Sequence, residues 1–365
     1  MKKIAINMLP FRERLTGTGY YIKRLLHHLQ KMDKENEYFL FVGNIKDPSV
    51  LFNIHAENFK IITYPSLNSK IKRIFFEQVI FPFILKKLRP DILFCPSVAV
   101  PLLSFSGAKI ITTIHDLIPF VFKEKYSFFQ RQYFNYISLL SAKKSDIILT
   151  VSENSKKDIM KFLKIKESKI KVLYNFLTEN SYLKTVSDDK RGNFFITVST
   201  VQPGKNLERL FEAFSEFSKI HPDYELMVIG GKGWKSDPIY KKVESLEIKN
   251  KIKFIGYVDD AQLSMYYKKA KALIYVSIYE GFGIPPLEAL NYNCPVVVSN
   301  TSSLPEVVGK AGILIDPYNT VSILYGMETV LLEDLVNEKK EYYRIQLEKF
   351  NGTTETKKLI QFFNS

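Results

Sequence analysis

Short, continuously apolar runs rich in β-branched residues alternate with longer stretches of helical period along the whole 365-residue chain. In the first half the runs are Lys3–Met8, Tyr38–Val42, Lys60–Tyr64, Asp91–Cys95, Lys109–His115, Asp146–Val151 and Lys171–Tyr174. In the second half they are Phe194–Ser199, Glu225–Gly230, Lys253–Gly256, Ala272–Ser277, Pro295–Ser299 and Gly312–Ile315. A strand apolar on both faces must be covered on both faces, which is the condition of a parallel sheet flanked by helices. The pattern therefore predicts an α/β fold of two doubly wound, Rossmann-like domains. The rhythm restarts near residue 190, after the polar stretch Thr185–Gly192, which is the expected linker. The expected division is 1–184, 185–345 and a helical tail at 346–365 that either packs back on the first domain or finishes the second. Two such domains facing each other leave a central cleft at the carboxyl ends of their strands, where open α/β sheets place ligands.

Only Cys95 and Cys294 are present, so no disulfide framework is expected and a reducing compartment fits. No run approaches the roughly 18 apolar residues of a membrane span. The first apolar run, Ile4–Phe11, is soon interrupted by Arg12, Glu13 and Arg14, unlike a signal peptide. The expected location is cytoplasmic, peripheral on the inner face of the cell membrane.

The net charge is +14, and it is unevenly spread. Residues 1–180 hold 29 Lys/Arg against 15 Asp/Glu, whereas residues 181–365 hold 23 of each. Two basic segments of the first half are laced with aromatics. Lys70, Lys72 and Arg73 run with Phe75 and Phe76 to Phe81, Phe83, Lys86, Lys87 and Arg89; Phe122–Lys144 holds Phe128, Phe129, Tyr133, Phe134 and Tyr136 among Lys123, Lys125, Arg131, Lys143 and Lys144. An aromatic face with a basic rim suits an anionic membrane surface, each cation contributing ~1 kcal/mol. In the alternative, the aromatics are core and the lysines merely solvated. No zinc-finger, helix-turn-helix or RNA-recognition signature supports nucleic acid as the partner.

The densest chemistry is Tyr279-Glu280-Gly281-Phe282-Gly283-Ile284-Pro285-Pro286-Leu287-Glu288, directly after a strand. Gly281 and Gly283 allow a sharp turn and close approach of a ligand, and a helix is expected to open near Pro285 or Pro286. Its first amides and dipole form an anion site suited to a diphosphate. Glu280 before the turn and Glu288 one turn into the helix can accept from different hydroxyls of one extended ligand. Each feature alone has a bland reading, as a common strand-to-helix turn and a solvated helix glutamate.

This segment resembles the donor-site signature of the family 4 retaining glycosyltransferases, of the two-domain GT-B fold. Gly17-Thr-Gly19-Tyr-Tyr21 is similar to the family's N-terminal glycine loop, and Thr113-Ile-His115-Asp116-Leu-Ile-Pro119 to its His-Asp segment. Asp146–Lys156, Gln202-Pro-Gly204-Lys205-Asn206-Leu207 and Cys294–Ser299 follow in the expected order. The resemblance implies three catalytic residues: His115 against the sugar near the scissile bond, Glu280 on the sugar hydroxyls and Lys205 on the diphosphate. It also implies donor contacts by Gly17, Gly19, Gly204, Gly281, Phe282, Gly283 and Ile284, with Glu288 on the ribose. The base is expected at Tyr257 and Val258. Trp234, in the glycine-rich loop Gly230–Gly233, is expected near the nucleotide, an ordinary turn being the other reading. The family commonly has an arginine immediately before this lysine, where this chain has Gly204. The remaining groups, or another cation such as Arg209, must then hold the diphosphate.

The implied reaction moves a hexose from a nucleotide sugar to a polyprenyl-diphosphate-linked saccharide in surface polysaccharide synthesis. GDP-mannose is the first expectation, with dTDP-rhamnose and UDP-hexoses behind it. No metal or other cofactor is expected. The pairs Asp188-Asp189 and Asp259-Asp260 lack the Asp-x-Asp spacing of metal-dependent transferases and fall in apparent loops. A glycosidase pairing of Glu280 and Glu288 is disfavoured by their phosphate-binding setting. A nucleotide-sugar 2-epimerase of the same fold is the enzymatic alternative and would turn over donor without acceptor. A non-catalytic basic surface binder would leave Lys205, Glu280 and Glu288 without purpose.

Overall fold

The computed structural model describes residues 1–103, 107–122, 128–178 and 191–365, apart from the side chains of residues 129 and 130. The chain forms two compact units, Met1–Phe176 with Asn351–Ser365, and Leu177–Phe350. The expected 184/185 boundary, most of the linker Thr185–Gly192, and Lys123, Lys125, Asp188 and Asp189 lie outside the described residues.

Unit 1 is built on β1 (Lys3–Met8), β2 (Glu37–Val42), β3 (Phe59–Thr63), β4 (Ile92–Cys95), β5 (Lys109–Thr113), β6 (Ile147–Thr150) and β7 (Ile170–Val172). They form one parallel sheet in the order β3-β2-β1-β4-β5-β6-β7. Side chains leave a strand on alternate faces, and here both faces are covered. Phe39 and Phe41 of β2 pack with Phe81 and Leu85 of the helix Phe81–Leu88. Tyr38, one residue before Phe39 and so on the opposite face, meets Phe363 of the helix Gly352–Asn364, which also touches Phe94. That C-terminal helix belongs to unit 1 and packs on the helix Gly17–Met32. At its start a Cβ on Gly352 would lie 2.7 Å from His28 Nε2, so only glycine fits the entry.

Unit 2 holds β8 (Phe194–Val198), β9 (Glu225–Ile229), β10 (Ile252–Gly256), β11 (Ala272–Tyr275), β12 (Val296–Ser299) and β13 (Ile313–Ile315). The parallel order is β10-β9-β8-β11-β12-β13, repeating the winding of the first six strands of unit 1. Leu210, Phe211, Phe214 and Phe217 recur at helical spacing on Leu207–Ile220 and bury one stripe against Phe195, Leu226 and Val228 of the sheet. Gly230 ends β9 at φ +141°, and a Cβ there would come 2.0 Å from the Ser199 carbonyl oxygen. This glycine lets the loops after β8 and β9 close on each other.

In each sheet the winding reverses beside its first strand, between β1 and β4 in unit 1 and between β8 and β11 in unit 2. Such switch points open a crevice at the carboxyl ends of the strands. Each unit therefore has its own place where chemistry is expected to collect.

Candidate functional site

In unit 2, Lys205 leaves the short 3₁₀ turn Pro203–Lys205 after β8, and Tyr275 ends β11, so the switch point brings them together. Glu280 reaches the same spot from the loop after β11. Lys205 Nζ lies 2.5 Å from Glu280 Oε1 and 3.4 Å from the Tyr275 hydroxyl, which itself donates to Glu280 Oε1 at 2.7 Å. The side chains of Lys205 and Glu280 are 17% and 13% exposed. Burial works against the charge on Lys205, but the Glu280 carboxylate and then Tyr275 outweigh it and raise its pKa. Burial likewise opposes ionisation of Glu280, and the adjacent ammonium more than reverses this, so its carboxyl titrates below the usual range. The result is a fixed, charged, mostly buried pair at the mouth of the sheet.

The loop carrying Glu280 is clamped by three consecutive hydroxyls after β12. Thr301 donates to the Ile278 carbonyl at 2.9 Å; Ser302, at φ +54°, accepts from the Glu280 amide at 3.0 Å; Ser303 donates to the carbonyls of Glu280 and Phe282 at 3.0 and 2.7 Å. Gly283, at φ +99°, then caps the helix Ile284–Asn291, which opens one residue before the expected Pro285. Prolines 285 and 286 have no amide hydrogen, so the amides that this helix start offers are those of Gly283 and Ile284. Glu288 follows on this helix, where the Tyr267 hydroxyl donates to its Oε2 at 3.0 Å. The Phe282 ring is buried against Phe350, with centroids 5.1 Å apart, and so supports the loop from inside, leaving its backbone for the expected donor contact.

Gly204 takes the Ile278 amide on its carbonyl at 3.2 Å, joining the loop after β8 to the segment after β11. Arg209 is engaged nearby: it donates to Asn206 Oδ1 at 2.8 Å and lies 5.8 Å from the Tyr318 ring centroid. Asn206 sits at φ +58° and donates to the carbonyls of Val276 and Pro317, so this cation is built into the loop's scaffold. Trp234 is near the same loop, since Gly233 donates its amide to the Val201 carbonyl at 3.1 Å and Lys235 Nζ lies 4.6 Å from the Trp234 ring centroid. Tyr257 and Val258 lie two strands from β8, a lateral offset of roughly 10 Å. They line a groove of 550 Å³ with Gln262, Met265 and Tyr266. Asp259 caps the helix Asp260–Lys269 in a capping box with Gln262.

Unit 1 carries the other expected residues. Gly17 and Gly19 form the first turn of the helix Gly17–Met32, not a free-standing loop. Thr16 precedes them without a side-chain cap, and the first amides of a helix have no acceptor within it. A Cβ at Gly17 would meet nothing, whereas one at Gly19 would come 2.9 Å from Leu15 Cδ2. His115 lies two residues past β5. Its Nε2–H donates to the Pro96 carbonyl at 3.0 Å, and its ring meets Tyr21 edge-on at 4.8 Å. Burial pushes its pKa down to about 4, the Pro96 bond acting weakly the other way, so the imidazole is neutral near pH 7. Ser155 holds the His115 carbonyl at 3.1 Å, which fixes the backbone as well as the ring.

Sequence reasoning missed Tyr275, Tyr267, Asn206 and the Thr301–Ser303 run. The hydroxyl run after an apolar strand was a visible signal. The two tyrosines were not distinguishable from core aromatics by pattern.

The sequence matches two family profiles that together span most of the chain, Glycosyltransferase Family 4 over residues 15–179 and Glycosyl transferases group 1 over residues 181–347. It is 34% identical over 206 residues to the O-antigen chain mannosyltransferase RfbU of Salmonella typhimurium, covering 56% of each chain. It is 28% identical over 203 residues to an N-acetylgalactosamine-N,N'-diacetylbacillosaminyl-diphospho-undecaprenol 4-alpha-N-acetylgalactosaminyltransferase of Campylobacter jejuni, covering 54% of each. The chain thus spans little more than half the length of these curated relatives. Among solved structures, HepE of Anabaena in complex with UDP and glucose superposes with a TM-score of 0.76 at 15% identity, covering 100% of both chains, which shows a shared fold. Two parallel α/β units of like winding, matched in turn by these two profiles, place the chain in family 4 of the glycosyltransferases, with the GT-B fold.

Proposed function

We propose that the protein is a retaining hexosyltransferase that moves mannose, or a related hexose, from a nucleotide diphosphate sugar to a polyprenyl-diphosphate-linked saccharide. The observation that carries this reading is the Lys205–Glu280–Tyr275 cluster at the switch point of unit 2, whose Glu280 lies in the turn that leads into the Gly283–Ile284 helix start. An ammonium and free amides suit a departing diphosphate, and a carboxylate suits sugar hydroxyls. Glu288 suits the ribose, and the groove at Tyr257 and Val258 suits the base. GDP-mannose stands first because RfbU is named a mannosyltransferase, followed by dTDP-rhamnose and UDP-hexoses.

Sugar transfer passes through an oxocarbenium-like state while negative charge grows on the leaving phosphate. The largest aid is preorganised charge and dipoles at that phosphate, supplied by Lys205 and the amides. Front-face attack lets the leaving phosphate oxygen take the acceptor's proton, which accounts for retention without a protein base. In the same reading neutral His115 contacts the sugar, and no metal is required because Lys205 carries the countercharge. Thermal unfolding with GDP, UDP and dTDP tests the donor. The matching nucleotide at 100 times its Kd stabilises by ~2.7 kcal/mol, a rise of roughly 5–10 °C for a unit of this size. No shift with any of the three would remove the donor assignment.

The acceptor lipid implies a membrane surface. The segment Lys70–Leu88 exposes Ile71 (82%) and Phe83 (60%) together with Phe75, while Phe76 and Phe81 are core. The helix Phe128–Lys144 exposes Phe128 and Tyr136, and Lys70 Nζ lies 5.4 Å from the Tyr133 ring centroid, joining the two segments. No described helix is long and apolar enough to cross a membrane. Vesicles containing phosphatidylglycerol should therefore bind the protein and release it near ~0.5 M salt, where screening is short-ranged. Equal binding to neutral vesicles, or binding unaffected by I71E/F83E, would rule this surface out.

A further inference from the structure

At the switch point of unit 1 lies a buried carboxyl group that the proposed chemistry does not use. Glu77 is 2% exposed and sits in the π-helical turn Phe76–Ile80, between the helices Lys70–Phe75 and Phe81–Leu88. Single π turns inside α-helices are frequent at functional sites. A glutamate is an expensive occupant of such a place, since a buried carboxyl is stable only when its oxygens are used. Burial pushes its pKa up to about 7, the Asn7 bond and Arg73 acting the other way. Its partner is Asn7, fully buried near the end of β1, whose Nδ2 donates to Glu77 Oε1 at 2.5 Å.

Asn7 spends its remaining capacity on the neighbouring backbone. Nδ2 also donates to the Ala99 carbonyl at 3.1 Å, and Oδ1 accepts from the Leu9 amide at 3.2 Å. A flipped amide would turn its oxygen toward two acceptors, Glu77 and the Ala99 carbonyl. The Glu77 Oε1 oxygen and the Ala99 carbonyl, both accepting from Nδ2, thus fix which way Asn7 faces. The next residue, Gln78, donates to the Val100 carbonyl at 3.2 Å and accepts from the Leu102 amide at 2.9 Å. Thr112 donates to the Ser97 carbonyl at 3.1 Å. The segment after β4 has no strand partner, so these side chains satisfy its backbone. Its first carbonyl, that of Pro96, is the one that receives His115 Nε2–H.

We propose that Glu77 is a positioning residue for the transfer reaction: through Asn7 it fixes the Pro96–Leu102 segment, and that segment sets the ring and tautomer of His115. The inference rests on the role given to His115 above. It names a residue that touches no substrate and whose loss is felt through another side chain.

The experiment compares wild type with Glu77→Gln, Glu77→Leu, His115→Ala and the Glu77→Leu/His115→Ala double variant. Transfer from GDP-mannose to a polyprenyl-diphosphate-linked saccharide is followed, alongside long-range ¹H–¹⁵N spectra of the histidine rings, in which His115→Ala identifies the signal. Displacement of a reacting group by about 1 Å lowers rates on the order of 100-fold. Glu77→Leu should lower kcat ~10- to 100-fold with the donor KM within ~3-fold, shift the His115 signal and add nothing in the His115→Ala background. Glu77→Gln, which still offers Asn7 an oxygen, should restore both readouts. Asn7→Ala, which cuts the same link from its other end, replaces Glu77→Leu should that variant not fold. A folded Glu77→Leu with unchanged kcat or an unmoved His115 signal would overturn the proposal, as would losses that multiply with His115→Ala. Full activity in His115→Ala would strike the role of His115 and this inference together, whereas an inactive His115→Ala beside a fully active Glu77→Leu would strike the inference alone. Should GDP-mannose not be turned over, the ring spectra decide, since they need no substrate.

Discussion

Lys205→Ala should lower kcat/KM by roughly 100- to 1,000-fold, the usual loss when one preorganised group facing developing charge is removed. It should also destabilise unit 2 by about 3–5 kcal/mol, because it leaves Glu280 mostly buried with no cation beside it. The two effects separate. Glu280→Gln in the Lys205→Ala background removes the stranded charge and should recover most of the stability while recovering no activity. Tyr275 still donates to position 280 in that double variant, so the loop keeps one of its anchors. The pair also has a defined pH range. Glu280 titrates below its unfolded value, so its contribution is present above about pH 4.5 and is lost as pH falls through its folded pKa. Lys205 titrates above its unfolded value, so its share is full below about pH 10 and is lost only at still higher pH. Denaturation of Lys205→Ala by urea, paired with initial rates, checks both halves. A variant as stable as wild type would mean that the carboxylate has relaxed into water and that the site is looser than its distances imply.

In unit 1 two shifted groups should nearly cancel each other between about pH 4.5 and 6.5. Glu77 rises from an ordinary 4.5 to about 7 in the fold, so the native state holds its proton where the unfolded chain has lost it. Its contribution therefore declines as pH rises from about 4.5 to 7. His115 falls from 6.5 to about 4, so the unfolded chain binds a proton the native state refuses. Its contribution declines as pH falls from about 6.5 to 4. Each slope approaches 1.4 kcal/mol per pH unit, and each sums to roughly 3 kcal/mol over its range. Wild type should show little pH dependence from this pair. Glu77→Gln should expose the histidine and lose roughly 3 kcal/mol between pH 6.5 and 4. His115→Gln should expose the glutamate and grow more stable from pH 7 to 4.5. The charged and titratable neighbours, Arg73, Cys95 and Tyr133, face Glu77 and stay in place in both variants. Three parallel stability–pH curves would show that neither group is held as the geometry requires.

Much of the architecture was legible because it is written in local periods. Continuous apolar runs such as Val296–Ser299 and Ile147–Thr150 can be satisfied only between two layers of helices, and each proved to be a strand. The glycine at 283 and the prolines after it announced a strand-to-helix turn, since few other residues tolerate φ +99° or suit a first helical turn. Lys205, Glu280, Glu288 and His115 stood out because they lie in the segments that resemble the family's motifs, Glu280 and Glu288 also because they flank a glycine-rich strand-to-helix turn.

What the sequence by itself determined, then, is which segments are strands, where a strand turns into a helix start and which side chains are chemically equipped. Tertiary structure alone decided who meets whom. Tyr275 and Phe282 look alike in a pattern, yet one bridges Lys205 and Glu280 while the other is buried under the loop. Arg209 carried the right charge for a diphosphate but is held by Asn206. Glu77 and Asn7, seventy residues apart, meet because β1 and β4 are neighbours and a π turn aims one at the other. A period of 2 or 3.6 records which face a residue takes within its own element. Strand order, register and loop closure fix the partner across the gap, and they arise from the packing of the whole sheet.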